Sequence, residues 1–142
     1  MILITIIFVG VGTAVFFVAA YYMKLGKQSD SWTPISAKIL QQGRYMSRSG
    51  SGEVQSNKYY VFYEYEVDGK TYESSLISFK PAIVPIYDAK QKFEGKKEIT
   101  VYYNPEEHSQ AVIEKGVDVS NYFMFFASIF FVSAGIAYYV WS

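Results

Sequence analysis

The chain has 142 residues, 13 basic and 13 acidic side chains, a single histidine and no cysteine. That length holds one small domain. Balanced charge offers no basic stripe for nucleic acid, and the absence of thiols excludes disulfides and thiolate metal sites.

Every charged side chain lies between Lys24 and Asp118. The uncharged stretch before them, residues 2–22, reads ILITIIFVGVGTAVFFVAAYY. As a helix it would be roughly 31 Å long, matching a hydrocarbon core of about 30 Å. It has no basic start, and its apolar run is too long for a cleaved signal peptide. A transmembrane helix is therefore expected. Tyr21, Tyr22 and Trp32 follow it, as suits an aromatic belt at headgroup depth.

From Trp32 the pattern changes to period two. Ile35, Ala37 and Ile39 alternate with Ser36 and Lys38, which predicts a first strand. The Gly, Ser and Asn content of SRSGSGEVQSN, residues 47–57, predicts a loop. KYYVFYEYEVDGKTYESSLISF then predicts a hairpin. Asp68-Gly69 supplies the positive φ values of a type I′ turn between two aromatic, β-branched runs. A two-residue loop sets Val67 opposite Lys70, Glu66 opposite Thr71, Tyr65 opposite Tyr72 and Glu64 opposite Glu73. Tyr59, Val61, Tyr63, Tyr65 and Val67 then share the core side with Tyr72, Ser74 and Leu76. The second face is acidic near the turn (Glu64, Glu66, Glu73) and apolar further away (Tyr60, Phe62, Ile77). That apolar end needs cover.

Residues 80–93 offer one soluble helix, with Pro85 in its first turn, Tyr87, Ala89 and Phe93 inward, and Gly95 as its stop. EITVYY is another strand, broken by Asn104-Pro105. Ala111 to Ile113 is a last edge strand. Residues 119–141 form a second apolar span, closed by Tyr138, Tyr139 and Trp141. The expected architecture is α+β: a small antiparallel sheet with one helix over residues 32–116, flanked by transmembrane helices over 2–22 and 119–141. Small residues at Gly10/Ala14, Gly12/Ala19, Ala127/Ala134 and Ser133/Ala137 give the two spans a packing seam. Lys24, Lys27, Lys38 and Lys115 flank the spans while the terminal tips are uncharged. The positive-inside rule then sets the loop domain in the cytoplasm, below an inner membrane crossed twice.

The middle of the chain resembles the bacterial domain-of-unknown-function family 3592. The resemblance rests on Trp32 with its alternating strand, on Val67-Asp68-Gly69-Lys70-Thr71-Tyr72, and on Gly95 followed by Val101-Tyr102-Tyr103-Asn104-Pro105. It closes on Ala111-Val112-Ile113-Glu114-Lys115-Gly116. The chain departs from the pattern at Ile113 and at Glu106-Glu107-His108. The resemblance implies a membrane-anchored, β-rich domain and implies no activity.

No Walker loop, dinucleotide fingerprint or nucleophile elbow is present, and no catalytic residue, metal or cofactor is expected. His108 reads as a surface loop residue. Glu64, Glu66 and Glu73 form the one constellation to weigh. A Ca²⁺ or Mg²⁺ site, or a contact for a basic partner, competes with a solvated face that has Lys38 or another strand's Lys nearby, and the solvated face is the expectation. The expected function is a membrane-anchored, non-enzymatic interaction or scaffold module. Tyr60, Phe62, Glu64, Glu66 and Glu73 would form its contact face toward a protein partner or a second copy. A membrane-bound hydrolase or transferase is the alternative, and needs His108 beside those carboxylates. A channel is weaker, since the spans hold no ionisable residue.

Overall fold

A computed structural model describes residues 2–48, 54–80, 93 and 95–141. The elements in chain order are α1 (Ile2–Ser29), β1 (Thr33–Arg48), β2 (Val54–Val67), β3 (Lys70–Ser74), β4 (Glu98–Tyr103), β5 (Ala111–Val112) and α2 (Val119–Trp141). The helix predicted over residues 80–93 lies, but for its two end residues, outside the described residues. The chain divides into a helical unit and a sheet unit. The helical unit holds α1 through Gln28, Phe79, Lys80, and the chain from Gly116 through α2; the sheet unit holds Ser29–Ser78 and, further on, β4 and β5.

In the sheet unit five antiparallel strands run in the order β3-β2-β1-β4-β5. The β2–β3 register is the predicted one, from Val67↔Lys70 to Glu64↔Glu73. The turn earns it with positive φ at both Asp68 (52°) and Gly69 (76°), the geometry that matches strand twist. Central β1 pairs with β2 from Ala37↔Tyr65 to Arg48↔Val54 and with β4 from Thr33↔Tyr103 to Lys38↔Glu98. A bulge between Ile39 and Gln41 leaves Leu40 as the extra residue. Gly43 faces Tyr60 in the ladder, and a Cβ there would lie 2.6 Å from the Tyr60 hydroxyl. The absent side chain lets that ring lie across the strand.

The core lies on the face carrying Ala37, Val61, Tyr63, Tyr65, Ile99 and Val101. Tyr63 is fully buried, and its hydroxyl lies 2.9 Å from the carbonyls of both Leu76 and Ala111, which share its one proton. Burial pushes the Tyr63 phenol up.

Two expectations for this unit are corrected. The two ends of the predicted loop over residues 47–57 are strand, since Met46↔Asn57, Ser47↔Ser56 and Arg48↔Val54 are ladder pairs, and residues 49–53 lie outside the described residues. Ladder pairing satisfies the backbone whatever the side chains prefer, which outweighs weak β-propensity. The period-two pattern of β3 also stops at Ser74. Leu76 is 41% exposed, whereas Ile77, predicted for the second face, packs on the core. The Leu76 N–H donates to Ser74 Oγ at 3.3 Å, turning the chain, and the Ile77 carbonyl accepts from the Ile113 and Glu114 N–H groups.

In the helical unit both helices are long and apolar enough to cross a membrane. They pack through Gly12, whose Cβ would stand 2.8 Å from Val132 and 3.1 Å from the Ser128 carbonyl, and through Gly135 against Phe8 and Val9. Phe16 and Phe125 meet at 5.0 Å. Of the predicted seam, Gly12 and Ala19 are buried, while a Cβ at Gly10 would meet nothing within 4 Å and Ser133 is exposed. Two residues turn a helix by about 200°, so Gly10 and Gly12 cannot share a face.

Candidate functional site

The face of the sheet opposite the core carries the candidate residues. Alternation along β2 brings Tyr60, Phe62, Glu64 and Glu66 to one side, and the β3 register adds Glu73 beside Glu64. One cross-strand row reads Glu73, Glu64, Lys38, Glu98, through Glu64↔Glu73, Lys38↔Glu64 and Lys38↔Glu98. Lys38 Nζ lies 3.1 Å from Glu64 Oε1. An open groove of about 290 Å³ runs along this row, lined by Ser36, Lys38, Glu64, Glu66, Thr71 and Glu98. Among the described residues no three His, Asp or Glu side chains come together as metal ligands. In the ladder Lys38 lies between Glu64 and Glu98.

The apolar end of the same face holds Tyr60 and Phe62, with ring centroids 5.9 Å apart. Phe62 is 42% exposed and Leu40, at the bulge, 44%. Gln41, opposite Phe62, donates its amide to the Tyr60 hydroxyl at 3.4 Å. The five predicted contact residues are therefore one surface, charged at the turn end and apolar beyond it.

His108 belongs elsewhere. The loop after β4 folds back on itself, with the Asn104 side chain accepting from the Glu106 N–H and the Asn104 N–H donating to the Gln110 carbonyl. This carries His108 against the core-side tyrosines. Its ring lies edge-on to Tyr103 at 5.4 Å and to Tyr72 at 6.3 Å, and its carbonyl accepts from the Tyr65 hydroxyl at 2.6 Å. Burial and the neighbouring Tyr72 push the Tyr65 phenol up to about 12. His108 Nδ1 is 3.9 Å from Asp68 Oδ2. Tyr65 and Tyr72 point to one face of the sheet and Glu64, Glu66 and Glu73 to the other, so His108 and the three glutamates are not brought together. The Asp68–His108 proximity was missed in the sequence; its only signal is the Asn-Pro turn that reverses the loop.

A second cluster, also missed, lies in the helical unit where α2 begins. Asp118 caps the helix, accepting from the Ser120 N–H at 2.9 Å and from its hydroxyl. Lys80 stands 3.9 Å from the same carboxylate. Burial pushes the Asp118 carboxyl up, but the Ser120 hydrogen bonds and Lys80 together hold it below the usual range. Asn121, fully buried, donates its amide to the Phe79 carbonyl at 2.8 Å. Asp-x-Ser ahead of an apolar run is the sequence signal of this cap.

The family model described as Domain of unknown function (DUF3592) matches residues 36–118, more than half of the chain. The chain belongs to the DUF3592 family. The matched DUF3592 region starts inside β1 and ends on the residue that caps α2, so it takes in the charged row, the Tyr60–Phe62 patch and the His108 loop. No curated protein matches the chain.

Proposed function

We propose that this DUF3592 chain is a multi-pass protein of a bacterial inner membrane that presents its sheet unit as a non-enzymatic docking module. The membrane part is supported by the surface of the helices. Phe17 is 66% exposed, Phe126 66%, Phe130 69% and Phe123 73%. Water solvates such an apolar surface poorly, whereas hydrocarbon solvates it well and the helices satisfy their own backbones. Lys24 and Lys27, near the C-terminal end of α1, favour a cytoplasmic sheet unit. Alkaline carbonate should leave the chain in its vesicles; release into the supernatant would overturn the membrane assignment.

The docking part is carried by one observation: Phe62 and Leu40 are exposed beside a row of three glutamates and one lysine. A partner segment with an apolar anchor flanked by basic residues fits this surface. A photoreactive side chain at Phe62 in intact membranes should give one reproducible adduct, lost on Tyr60→Glu. Adducts no stronger than those from a photoreactive group at exposed Lys70 would count against a docking role.

A further inference from the structure

We propose that the helical unit binds one anionic phospholipid, with an acyl chain in a groove between α1 and α2 and the phosphate on Lys24 and Lys27. This site rests on the membrane-spanning assignment above. The groove encloses about 390 Å³ and is lined by Thr13, Phe16, Phe17, Ser128, Ile129 and Val132. Its polar atoms are already committed. Thr13 donates its hydroxyl proton to the Val9 carbonyl at 2.7 Å, Ser128 to Phe125 at 2.6 Å and Ser133 to Ile129 at 2.8 Å. With no donor left to point inward, the groove suits hydrocarbon.

Helical periodicity leads from the groove to the lysines. Thr13, Phe17 and Lys24 are spaced by four and seven residues, and Phe16 stands eleven before Lys27, close to three turns. Each wall of the groove on α1 thus continues into one lysine. Lys24 lies about 10 Å along the axis from Phe17, with Tyr21, 59% exposed, between them. The order along the helix is that of a phospholipid: hydrocarbon, an amphipathic ring at carbonyl depth, then cations at the phosphate. The Lys24 and Lys27 side chains are exposed and make no ion pair or hydrogen bond with any described residue. Lys80, the other lysine described in this unit, is matched by Asp118. Among the described residues, these two positive charges therefore have no ion-paired carboxylate. No other charged side chain lies within α1 or α2. Phe16, Phe17 and Ile129 are too bulky for the close backbone approach of a second copy's helix.

The test uses the full chain in nanodiscs containing equal phosphatidylglycerol and phosphatidylcholine, with retained lipid read by native mass spectrometry. Phosphatidylglycerol should be retained over phosphatidylcholine by roughly tenfold, as two lysines at a charged surface allow. Lys24→Gln with Lys27→Gln should bring the ratio to about parity at unchanged helicity. Ile129→Trp, which fills the groove without touching Gly12, should lower retention of both lipids. Equal retention by the native chain, or a preference that survives the double substitution, would overturn the site. So would disulfide-linked dimers of a Ser133→Cys variant, which would put a second copy in the groove. A chain that resists carbonate but shows no headgroup preference refutes this site alone; a chain that carbonate releases refutes the membrane assignment.

Discussion

Lys38 Nζ sits 3.1 Å from Glu64 Oε1, between two acidic neighbours in its row, Glu64 on β2 and Glu98 on β4. The pair is exposed, so its own worth is small, about 0.2–1 kcal/mol. Its removal also leaves Glu73, Glu64 and Glu98 with no cation in the row. Lys38→Met should lower stability by about 1 kcal/mol at low salt and by less in concentrated salt. Glu73→Lys, which turns a like-charge pair into an opposite one, should raise the melting temperature. Thermal unfolding of the full chain in detergent at two salt concentrations checks both.

The buried tyrosines make the sheet unit sensitive to base. The Tyr65 phenol ionises near 10 when exposed and near 12 in the fold. A folded value above the unfolded one means that the native state holds its proton longer. The stabilisation is complete below pH 10 and declines as pH rises toward 12. Melting temperature should fall across that window, and Tyr65→Phe should flatten the fall.

Acid acts through Asp118 in the opposite sense. Its folded value lies below the ordinary 3.8, so its contribution is present above that pH and lost as pH drops through the depressed value. Asp118→Asn, which keeps an acceptor for Ser120, should remove the acid-side loss while costing less at neutral pH than Asp118→Ala, expected at about 1 kcal/mol. Melting curves against pH separate the two variants.

Glycines in α1 should respond differently to a single methyl group. At Gly26 a Cβ would meet the Gly116 carbonyl at 2.6 Å and Val117 Cα at 2.9 Å, both backbone atoms. Gly26→Ala should destabilise by about 1–3 kcal/mol. At Gly10 nothing stands within 4 Å, so Gly10→Ala should be neutral or stabilising through helix propensity. Denaturation in detergent that ranked them the other way would refute the packing at α1's final turns.

What was legible in the sequence follows the strength of local signals. Asp68-Gly69 sets a two-residue turn, and that alone carries the whole β2–β3 register and the shared face of Tyr60, Phe62, Glu64, Glu66 and Glu73. Alternation of Ile35, Ala37 and Ile39 made Lys38 one candidate to compensate the glutamates; that it is Lys38 follows from the pairing of β1 with β2. Ser47, Arg48 and residues 54–57 misled because composition reports loop preference, while their strand state comes from pairing between β1 and β2. Leu76 and Ile77 misled because period two was carried past the residue where the Ser74 hydroxyl turns the chain. The meeting of His108 with Asp68 and of Lys80 with Asp118 joins residues 38 or more apart in sequence, a closure no local pattern encodes.

The central place of β1 has a consequence for biogenesis. A ribosome delivers β1, β2 and β3 as consecutive neighbours, so a three-stranded meander can assemble while the rest of the polypeptide is still being made. Until β4 arrives, the flank of β1 from Thr33 to Lys38 has no partner strand. A nascent chain stalled before Glu98 would carry that open edge, making it a natural client for a chaperone that shields unpaired strands.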